Sequence, residues 1–262
     1  MHPLLFDFGF WKIGSYGFMA VITIIITLYL LKFLAIREKL DYGKLVEFYF
    51  FAGISGLIGS KLFHLMISYR QIFNNPRVIW IIFISGGVWY GGLLAAFFVG
   101  VSYARYRGLP VLTLMDIYAP LIMLGLGICR LGCFLSGCCY GKPGDVPWAV
   151  TFTNALAHRI HPDLPYVPIH PTQIYEALGC FAIAIILALM YRRKKFDGQI
   201  GISLFILYGI VRSYIEMYRG DFRGSLFGEA LSTSQFLGIL TAIIATGAYI
   251  YFWKKSGSKK SV

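Results

Sequence analysis

The amino-acid sequence predicts an all-α integral membrane protein with seven transmembrane helices. Of the 262 residues, 58% are apolar or aromatic and only 14% are charged, whereas about 25% of the residues in a soluble domain carry a charge. A transmembrane helix needs about 20 predominantly apolar residues, and the chain contains seven such runs. They cover residues 17–36, 45–67, 79–101, 111–135, 172–191, 199–217 and 231–252. Residues 1–262 are predicted to form a single polytopic membrane domain.

Basic residues follow the first, third, fifth and seventh of these runs, and this distribution predicts the orientation. The 14 residues are Lys32, Arg37, Lys39, Lys44, Arg105, Arg107, Arg192, Arg193, Lys194, Lys195, Lys254, Lys255, Lys259 and Lys260. Because Lys and Arg concentrate in cytoplasmic loops, the N-terminus is predicted outside and the C-terminus inside. An anionic membrane surface accounts for the net charge of +12, and no nucleic-acid partner is expected.

The segment between the fourth and fifth runs, at about residues 136–171, is predicted to form a small external loop domain. It is rich in Gly and Pro and contains a short strand-like run at 148–152. Long loops of this kind often carry function. The polar tail at about residues 256–262 is predicted to be mobile.

Ionisable side chains inside a bilayer are costly, so each one is a candidate for function. In the sixth run and just after it, the spacing of four polar residues places them along one helical face. They are Tyr208, Arg212, Glu216 and Arg219. A buried arginine can hold a phosphate through two hydrogen bonds, with Glu216 orienting Arg212. The alternative is a structural Arg212–Glu216 pair that only neutralises itself.

A second polar group lies at the start of the fifth run, where His170 and Pro171 precede Thr172, Gln173 and Glu176. Thr172 is predicted to cap the helix. Gln173 and Glu176 share a face one turn further on, near the positive helix end that favours an anion. The alternative is a capped helix with a tyrosine at the membrane interface.

The glycine- and cysteine-rich segment 125–141 carries Arg130 near the outer end of the fourth run, where an arginine is expected to be functional. Its four cysteines, spaced C-x3-C-x4-C-C, are Cys129, Cys133, Cys138 and Cys139. Zinc and iron–sulfur sites usually show two well-separated C-x-x-C pairs, so neither a metal nor a cofactor is predicted. The alternatives are a disulfide that involves Cys133 and buried, unreactive thiols.

Two glycine pairs, at 86–87 and 91–92, flank Trp89 and Tyr90 at the outer start of the third run. Glycines let a backbone approach a ligand or another helix closely. The segment is therefore predicted either to contact a ligand or to pack against a helix with its aromatic residues at the interface. Lys61, inside the second run, is a further ionisable candidate.

Together these motifs resemble one known family, and the resemblance covers nearly the whole chain. The matching residues are Tyr16-Gly17-Phe18-Met19, the glycines from 86 to 92 with Leu93, Asp116 with Pro120, Arg130-Leu131-Gly132, Gly137, Gly141, His170-Pro171-Thr172-Gln173-Ile174-Tyr175-Glu176, Tyr208-Gly209, Arg212, Glu216, Arg219, and Leu231-Ser232 with Gln235. The sequence is similar to the prolipoprotein diacylglyceryl transferases of bacterial inner membranes.

The resemblance implies an enzyme that moves the diacylglyceryl group of phosphatidylglycerol onto the thiol of a lipobox cysteine in a prolipoprotein and releases glycerol phosphate. It implies that Arg130 and Arg212 contact the lipid phosphate and that Glu216 is the partner of Arg212. Other positions that the family uses are matched by Tyr16, Gly141 and Tyr208. The implied location is the bacterial cytoplasmic membrane, with the active face toward the outside.

Four positions depart from the family pattern, chiefly where the acceptor thiol is activated. Tyr90 stands where the family has a histidine, a proposed base, and Lys61 stands where it has an arginine. Cys133 and Cys138 replace an asparagine and a glutamate. Since the pKa of tyrosine is about 10, it is a poorer base than histidine at neutral pH, and both the base and the acceptor stay open. The candidate catalytic residues are Tyr90, Arg130, Arg212 and Glu216, and the candidate substrate-binding residues are Tyr16, Lys61, Cys133, Gly141, His170, Gln173, Glu176, Tyr208 and Arg219.

The same residues allow three alternatives to a lipoprotein transferase. The first is a divergent relative that keeps the phospholipid site but modifies another acceptor, such as a small thiol or another lipid. The second is a phospholipid-binding or transport protein without catalysis. The third is a thiol redox membrane protein built on Cys133, Cys138 and Cys139.

Overall fold

A computed structural model describes residues 2–9, 12–84, 87–221, 225–226 and 231–258 of the chain. Most of this part of the chain is helical. The helices are α1 (Ser15–Glu38), α2 (Tyr42–Ile67), α3 (Tyr69–Asn74), α4 (Val78–Ile84), α5 (Trp89–Tyr106), α6 (Val111–Ser136), α7 (Ala155–Ile160), α8 (Thr172–Tyr191), α9 (Gln199–Glu216) and α10 (Thr233–Ser258). Two short antiparallel sheets join β1 (Leu4–Asp7) to β2 (Lys12–Gly14) and β3 (Ser225–Leu226) to β4 (Leu231–Ser232).

Five of the described helices are long and apolar enough to cross a bilayer, which supports a multi-pass, α-helical membrane protein. They are α1, α2, α6, α8 and residues Thr233–Ser256 of α10. The helices α5 and α9, with 18 residues each, are not among these five. The count of seven spans therefore stays a prediction.

The third predicted run, 79–101, does not form one continuous helix. α4 ends at Ile84, and α5 begins at Trp89 after Val88, whose backbone is extended. The N–H group of Val88 donates to the carbonyl oxygen of Ser60 at 3.1 Å instead of continuing a helix. The break coincides with Gly87, a residue type that lowers helix stability, whereas Ser85 and Gly86 lie outside the described residues.

The chain groups into two compact units, one formed by Met1–Leu30 with Met115–Val262 and the other by Leu31–Leu114. In the second unit, α2 and α5 pack closely through glycines. A Cβ atom on Gly92 would lie only 2.8 Å from the carbonyl oxygen of Gly56, so Gly92 serves helix packing. The prediction of a single membrane domain stays a prediction.

In the first unit, the start of α9 is fixed by the buried Asp116 of α6. Its carboxylate accepts hydrogen bonds from the N–H groups of Gly198, Ile200 and Gly201 at 2.8, 2.8 and 3.1 Å. Lys194 lies 3.7 Å from the same carboxylate. Because the first N–H groups of a helix lack partners within the helix, this ionisable residue has a structural role.

The segment between α6 and α8 folds around a small core of its own. The core consists of Tyr140, Phe152, Ala157, Leu164 and Ile169. The predicted strand-like run at 148–152 forms only a single bridge, from Val150 to Ile169, and the prediction missed α7. At the C-terminus, residues 256–258 of the predicted mobile tail continue α10, and residues 259–262 lie outside the described part.

Candidate functional site

Glu176, in the second turn of α8, is the centre of a buried group of polar side chains. Its Oε1 atom accepts a hydrogen bond from the hydroxyl of Tyr208 at 3.0 Å and lies 2.9 Å from Nη2 of Arg130. Its Oε2 atom lies 3.5 Å from Nη1 of Arg219. The Glu176 side chain is fully buried, so the positive charges of Arg130 and Arg219 are needed to offset the negative charge of its carboxylate.

Glu216, the last residue of α9, is the centre of an adjoining group. Its Oε2 atom lies 2.6 Å from Nη2 of Arg212, one turn earlier, and 4.0 Å from Nε of Arg219. Its Oε1 atom accepts a hydrogen bond from the hydroxyl of Ser232 at 3.0 Å. Arg219 also donates two hydrogen bonds of 2.9 Å to the carboxylate of Asp221. Arg219 thus connects the two groups.

These side chains form one unit, here named the arginine–carboxylate cluster. Its members are Arg130, Glu176, Tyr208, Arg212, Glu216, Arg219 and Asp221. Three guanidinium groups balance three carboxylates. Within the described structure, the buried side-chain atoms without a hydrogen-bond partner are Nε of Arg130, Nη1 of Arg212, Oε1 of Gln173, Oε2 of Glu216 (apart from its ion pairs) and, in the second unit, Nε of Arg107. Since buried polar groups are nearly always hydrogen-bonded, these atoms are candidates for contacts with a ligand, and the two arginine N–H groups are of the type that donates to a phosphate.

The start of α8 holds the turn that follows α6. The hydroxyl of Thr172 donates to the carbonyl oxygen of Cys139 at 3.0 Å, and Nε2 of Gln173 donates to that of Cys138 at 2.8 Å. The prediction that Thr172 caps α8 is wrong, because the preceding Pro171 occupies the cap position. Thr172 is already the first helical residue, and its hydroxyl reaches the neighbouring turn instead of the N–H groups of its own helix.

Gly141 lies where three segments meet without room for a side chain. Its backbone forms a bridge with Arg219. A Cβ atom on Gly141 would lie 2.8 Å from Cβ of His170 and 2.9 Å from Cγ2 of Thr172. The ring of His170 has its Nδ1 atom 3.2 Å from the hydroxyl of Tyr175. In the described structure, His170 and Gly141 therefore shape the backbone beside the cluster.

Three thiols converge beside the cluster. The Sγ atoms of Cys133, Cys138 and Cys139 all lie within 4.8 Å of one another. The chain reaches this arrangement through left-handed backbone conformations at Gly137 and Cys139, with φ of 82° and 61°. The two neighbouring thiols, and then the charge of Arg130, lower the pKa of Cys139 below its ordinary value, although burial opposes this shift.

An apolar groove of about 470 Å³ lies between α9 and α10, and its lining includes Gly209, Ser213, Ile239 and Ala242. Gly209 and Ser213 directly follow Tyr208 and Arg212 in the sequence, so the helix that carries the cluster also lines the groove. Neither this groove nor the contact of Ser232 with Glu216 was predicted from the sequence. The signal for Ser232 was its place in the family resemblance.

The remaining candidates lie outside the cluster. Tyr16 is the second residue of α1 and is 52% exposed. Its Cα atom lies 3.1 Å from the position that a Cβ atom on Gly132 would occupy. No hydrogen bond or ion pair within the described structure joins Tyr16 to the cluster. Tyr90, in the first turn of α5, and Lys61 both belong to the second unit. The ammonium group of Lys61 donates to the carbonyl oxygen of Ile82 at 2.9 Å.

Comparison with known proteins identifies the family. Residues 3–252 match the family described as prolipoprotein diacylglyceryl transferase. The chain belongs to this family. It is similar to the phosphatidylglycerol–prolipoprotein diacylglyceryl transferase of Clostridium tetani, with 32% identity over 96% of this chain and 97% of that protein. The proteins of the same name from Finegoldia magna and Photobacterium profundum are 31% and 28% identical, over 94% and 99% of this chain and 93% and 95% of their own lengths.

Family membership confirms the resemblance that the motifs predicted. The residues that carry the resemblance to these transferases and the residues that depart from it occupy different places. Arg130, Arg212 and Glu216 meet in the arginine–carboxylate cluster. Cys133 and Cys138 belong to the thiol group beside it.

Proposed function

We propose that this chain transfers the diacylglyceryl group of phosphatidylglycerol to the thiol of a lipobox cysteine in a prolipoprotein and releases glycerol phosphate. Membership of the transferase family supports this activity. The observation that carries the proposal is the pair of buried arginines, Arg130 and Arg212, each with an N–H group that lacks a partner among the described residues. A phospholipid supplies the charged oxygen atoms that such groups bind strongly.

The chemistry fits this cluster. The reaction breaks the bond between a glyceryl carbon and a phosphate oxygen, and it forms a bond between that carbon and the acceptor sulfur. The thiol loses its proton, and the phosphate leaves with additional negative charge. Arg130 and Arg212 stabilise this developing charge, while Glu176 and Glu216 hold the two guanidinium groups in position. The donor's apolar chains require an apolar surface, and the groove between α9 and α10 offers one on the helix that carries Arg212.

The active cluster faces the outer side of the bacterial cytoplasmic membrane in a chain that crosses it seven times. α5 and α9 supply the third and the sixth span in chain order, because 18 residues of α-helix extend about 27 Å, close to the hydrocarbon thickness of about 30 Å. The basic residues after alternate runs favour an inner C-terminus. A C-terminal green fluorescent protein should therefore fluoresce, and alkaline phosphatase at the same position should be inactive. The opposite result would overturn this orientation.

The activity is tested with the purified full-length protein, phosphatidylglycerol vesicles and a lipobox peptide. We expect the peptide mass to increase by one diacylglyceryl group, with equimolar release of glycerol phosphate. Arg105→Ala, which changes an exposed basic residue at the end of α5, serves as the matched control and should keep full activity. Folded protein that forms no lipidated peptide would contradict the proposal.

The replacements at Tyr90, Cys133 and Cys138 favour a second candidate, a transferase with the same phospholipid site and a different acceptor. Release of glycerol phosphate with a small thiol or another lipid, but not with the peptide, would identify it in the same assay. If phosphatidylglycerol binds but no glycerol phosphate is released with any of these acceptors, the chain is a lipid-binding or transport protein. That result would reject both candidates.

A further inference from the structure

The thiols of Cys133, Cys138 and Cys139 have no part in the proposed phosphate site, and their geometry suits a thiophilic metal ion. Their sulfur atoms lie within 4.8 Å of one another. Thiolates around a tetrahedral zinc ion, with Zn–S bonds of about 2.3 Å, lie about 3.8 Å apart. Small side-chain rotations therefore bring all three sulfurs to bonding distance of one ion.

The backbone and its neighbours hold the thiols together. Adjacent residues in helices and strands point their side chains in different directions, yet the thiols of Cys138 and Cys139 meet. The left-handed conformation of Cys139, with φ of 61°, permits this, and a non-glycine residue keeps such a conformation where the surrounding structure imposes it. The hydrogen bonds from Thr172 and Gln173 to the two cysteine carbonyl oxygens supply that constraint.

Arg130 lies close to the three thiols. Arg130 lies one turn before Cys133 on α6, and its charge interacts with Cys133 and Cys139. Thiolates are the form in which cysteines bind metals. Three thiolates and one Zn²⁺ ion together carry a single negative charge, so the ion neutralises most of the charge that three thiolates place beside the cluster.

We propose that Cys133, Cys138 and Cys139 bind one Zn²⁺ ion and that its fourth coordination position takes the acceptor thiol. The first half needs only the described thiols, whereas the second half rests on the proposed transferase function. Three protein ligands and one open position are the arrangement of catalytic zinc sites. The proposal departs from the spacing-based prediction of no metal, because the turn after α6 and the start of α8 bring the thiols together.

A zinc-bound acceptor supplies the activated sulfur that Tyr90 is poorly suited to generate. A thiol that coordinates zinc loses its proton, and this proton passes to solvent. The sulfur then attacks the glyceryl carbon, so that the carbon–sulfur bond forms as the carbon–oxygen bond to phosphate breaks. The electron pair of the broken bond leaves with glycerol phosphate, and the thioether product dissociates from zinc, whose charge does not change.

A disulfide is the competing state of these thiols on the outer, oxidising side of a membrane. It joins two sulfurs at about 2.05 Å and leaves the third of this group unused. The described arrangement brings three sulfurs to one point, which favours a metal. A disulfide among these cysteines would be detected in the experiment below and would contradict the zinc site.

The first experiment measures metal binding by the full-length protein, purified in detergent with a phosphine reductant and freed of metal with a chelator. We expect one Zn²⁺ per chain, and thiolate charge-transfer bands when Co²⁺ replaces Zn²⁺. Cys133→Ser, Cys138→Ser and Cys139→Ser should each weaken Zn²⁺ binding at least about a hundredfold. Cys180→Ala, which removes a buried thiol of α8, is the matched control and should bind like the parent protein.

Three results would overturn the zinc site. They are the lack of stoichiometric Zn²⁺ binding by the reduced parent protein, unchanged affinity in all three serine variants, and a disulfide among the three cysteines after alkylation directly in native membranes. The parent protein alone decides the first and the third result, so the test remains decisive if a serine variant does not fold.

The second experiment repeats the lipobox-peptide assay with metal-free protein. We expect transfer to fall at least about a hundredfold and to return on addition of Zn²⁺, with the same loss in the Cys139→Ser variant. Undiminished transfer without metal would reject the role of zinc and leave the proposed function intact. Stoichiometric Zn²⁺ binding without transfer under any condition would reject the proposed function and leave the zinc site intact.

The open fourth position has a separate test in His161, whose imidazole interacts electrostatically with Cys139. We expect His161→Ala to keep Zn²⁺ affinity within about threefold of the parent protein, since an incoming thiol and not a fourth side chain completes the site. A loss of affinity of about a hundredfold or more would show that the imidazole fills that position, and it would overturn the acceptor role.

Discussion

Two arginine–glutamate pairs of nearly equal length lie in very different surroundings. In the first unit, Arg212 and Glu216 approach to 2.6 Å with side chains only 9% and 6% exposed. In the second unit, Arg107 and Glu47 approach to 2.7 Å with side chains 36% and 48% exposed. Each glutamate also accepts a hydrogen bond from a hydroxyl group, Ser232 in the first pair and Tyr103 in the second.

The comparison shows that the distance within an ion pair does not reveal its role. An exposed pair is screened and contributes little to stability, whereas removal of one partner of a buried pair leaves an uncompensated charge. The Arg212–Glu216 pair is buried and also belongs to a larger cluster, whereas an N–H group without a described partner occurs in both pairs, at Nη1 of Arg212 and at Nε of Arg107. Burial and membership of the cluster, and not the 2.6 Å contact or an unpartnered N–H group, distinguish the arginine that is proposed to bind a ligand from a self-neutralising one.

The largest expected effect follows from removal of the buried arginine. We expect Arg212→Ala to reduce diacylglyceryl transfer about a thousandfold or more, because the phosphate loses a charged donor and Glu216 loses its partner. Arg107→Ala, the matched change in the exposed pair, should stay within about twofold of the parent protein. The measurement is kcat/KM with the lipobox peptide, after gel filtration has established that both variants are folded. Equal losses in the two variants would remove the distinction between the pairs.

The carboxylate at the centre of the cluster gives the next effect. Glu176→Gln preserves the size of the side chain but leaves Arg130 and Arg219 without their shared counter-charge, so we expect a loss of about 3 kcal/mol in the free energy of unfolding. Glu47→Gln in the second unit should leave the unfolding midpoint nearly unchanged. Thermal unfolding in detergent, followed by circular dichroism, compares the two. A Glu176→Gln variant as stable as the parent protein would show that the two arginines do not depend on this carboxylate.

Much of the helical framework could be predicted because a helix that crosses the lipid bilayer needs about 20 predominantly apolar residues. The fifth predicted run has the same bounds as α8, Thr172–Tyr191, and the second run ends with α2 at Ile67. A long apolar run does not always form one continuous helix, and the third predicted run is interrupted at Gly87 between α4 and α5. The length of apolar runs gives no information about short polar segments, so the hairpin of β1 and β2 was not predicted.

The candidate site divides in the same way. The pairing of Arg212 with Glu216 could be predicted because residues four positions apart on a helix are neighbours. The contact of Glu176 with Arg130 joins α8 to α6. Residue spacing within one helix does not show how two helices pack, so this contact could not be predicted. The convergence of the thiols depends on the left-handed backbone conformations of Gly137 and Cys139, which no cysteine spacing specifies.

Gly141 in the first unit and Gly108 in the second unit differ in the space that is available for a side chain. A side chain at Gly141 would overlap His170 and Thr172, whereas Gly108 has a φ of 67° but nothing within 4 Å of an added Cβ. We expect Gly141→Ala to lower transfer at least about tenfold, because the backbone beside Arg219 must shift. Gly108→Ala should lower the unfolding midpoint without lowering kcat/KM of the folded protein. A Gly141→Ala variant with full activity would show that the close packing beside the cluster has no catalytic consequence.

The smallest expected effect compares two tyrosines that donate to glutamates. Tyr208 donates to Oε1 of Glu176, the atom that also contacts Arg130, whereas Tyr103 donates to the exposed Glu47. Tyr208→Phe removes one hydrogen bond, with a net contribution of about 1 kcal/mol, and should lower kcat/KM about fivefold by loosening the orientation of Arg130. Tyr103→Phe should leave kcat/KM unchanged. If Tyr208→Phe instead abolished transfer, its hydroxyl would have to contact the substrate directly, and the cluster would contain a catalytic group in addition to its arginines.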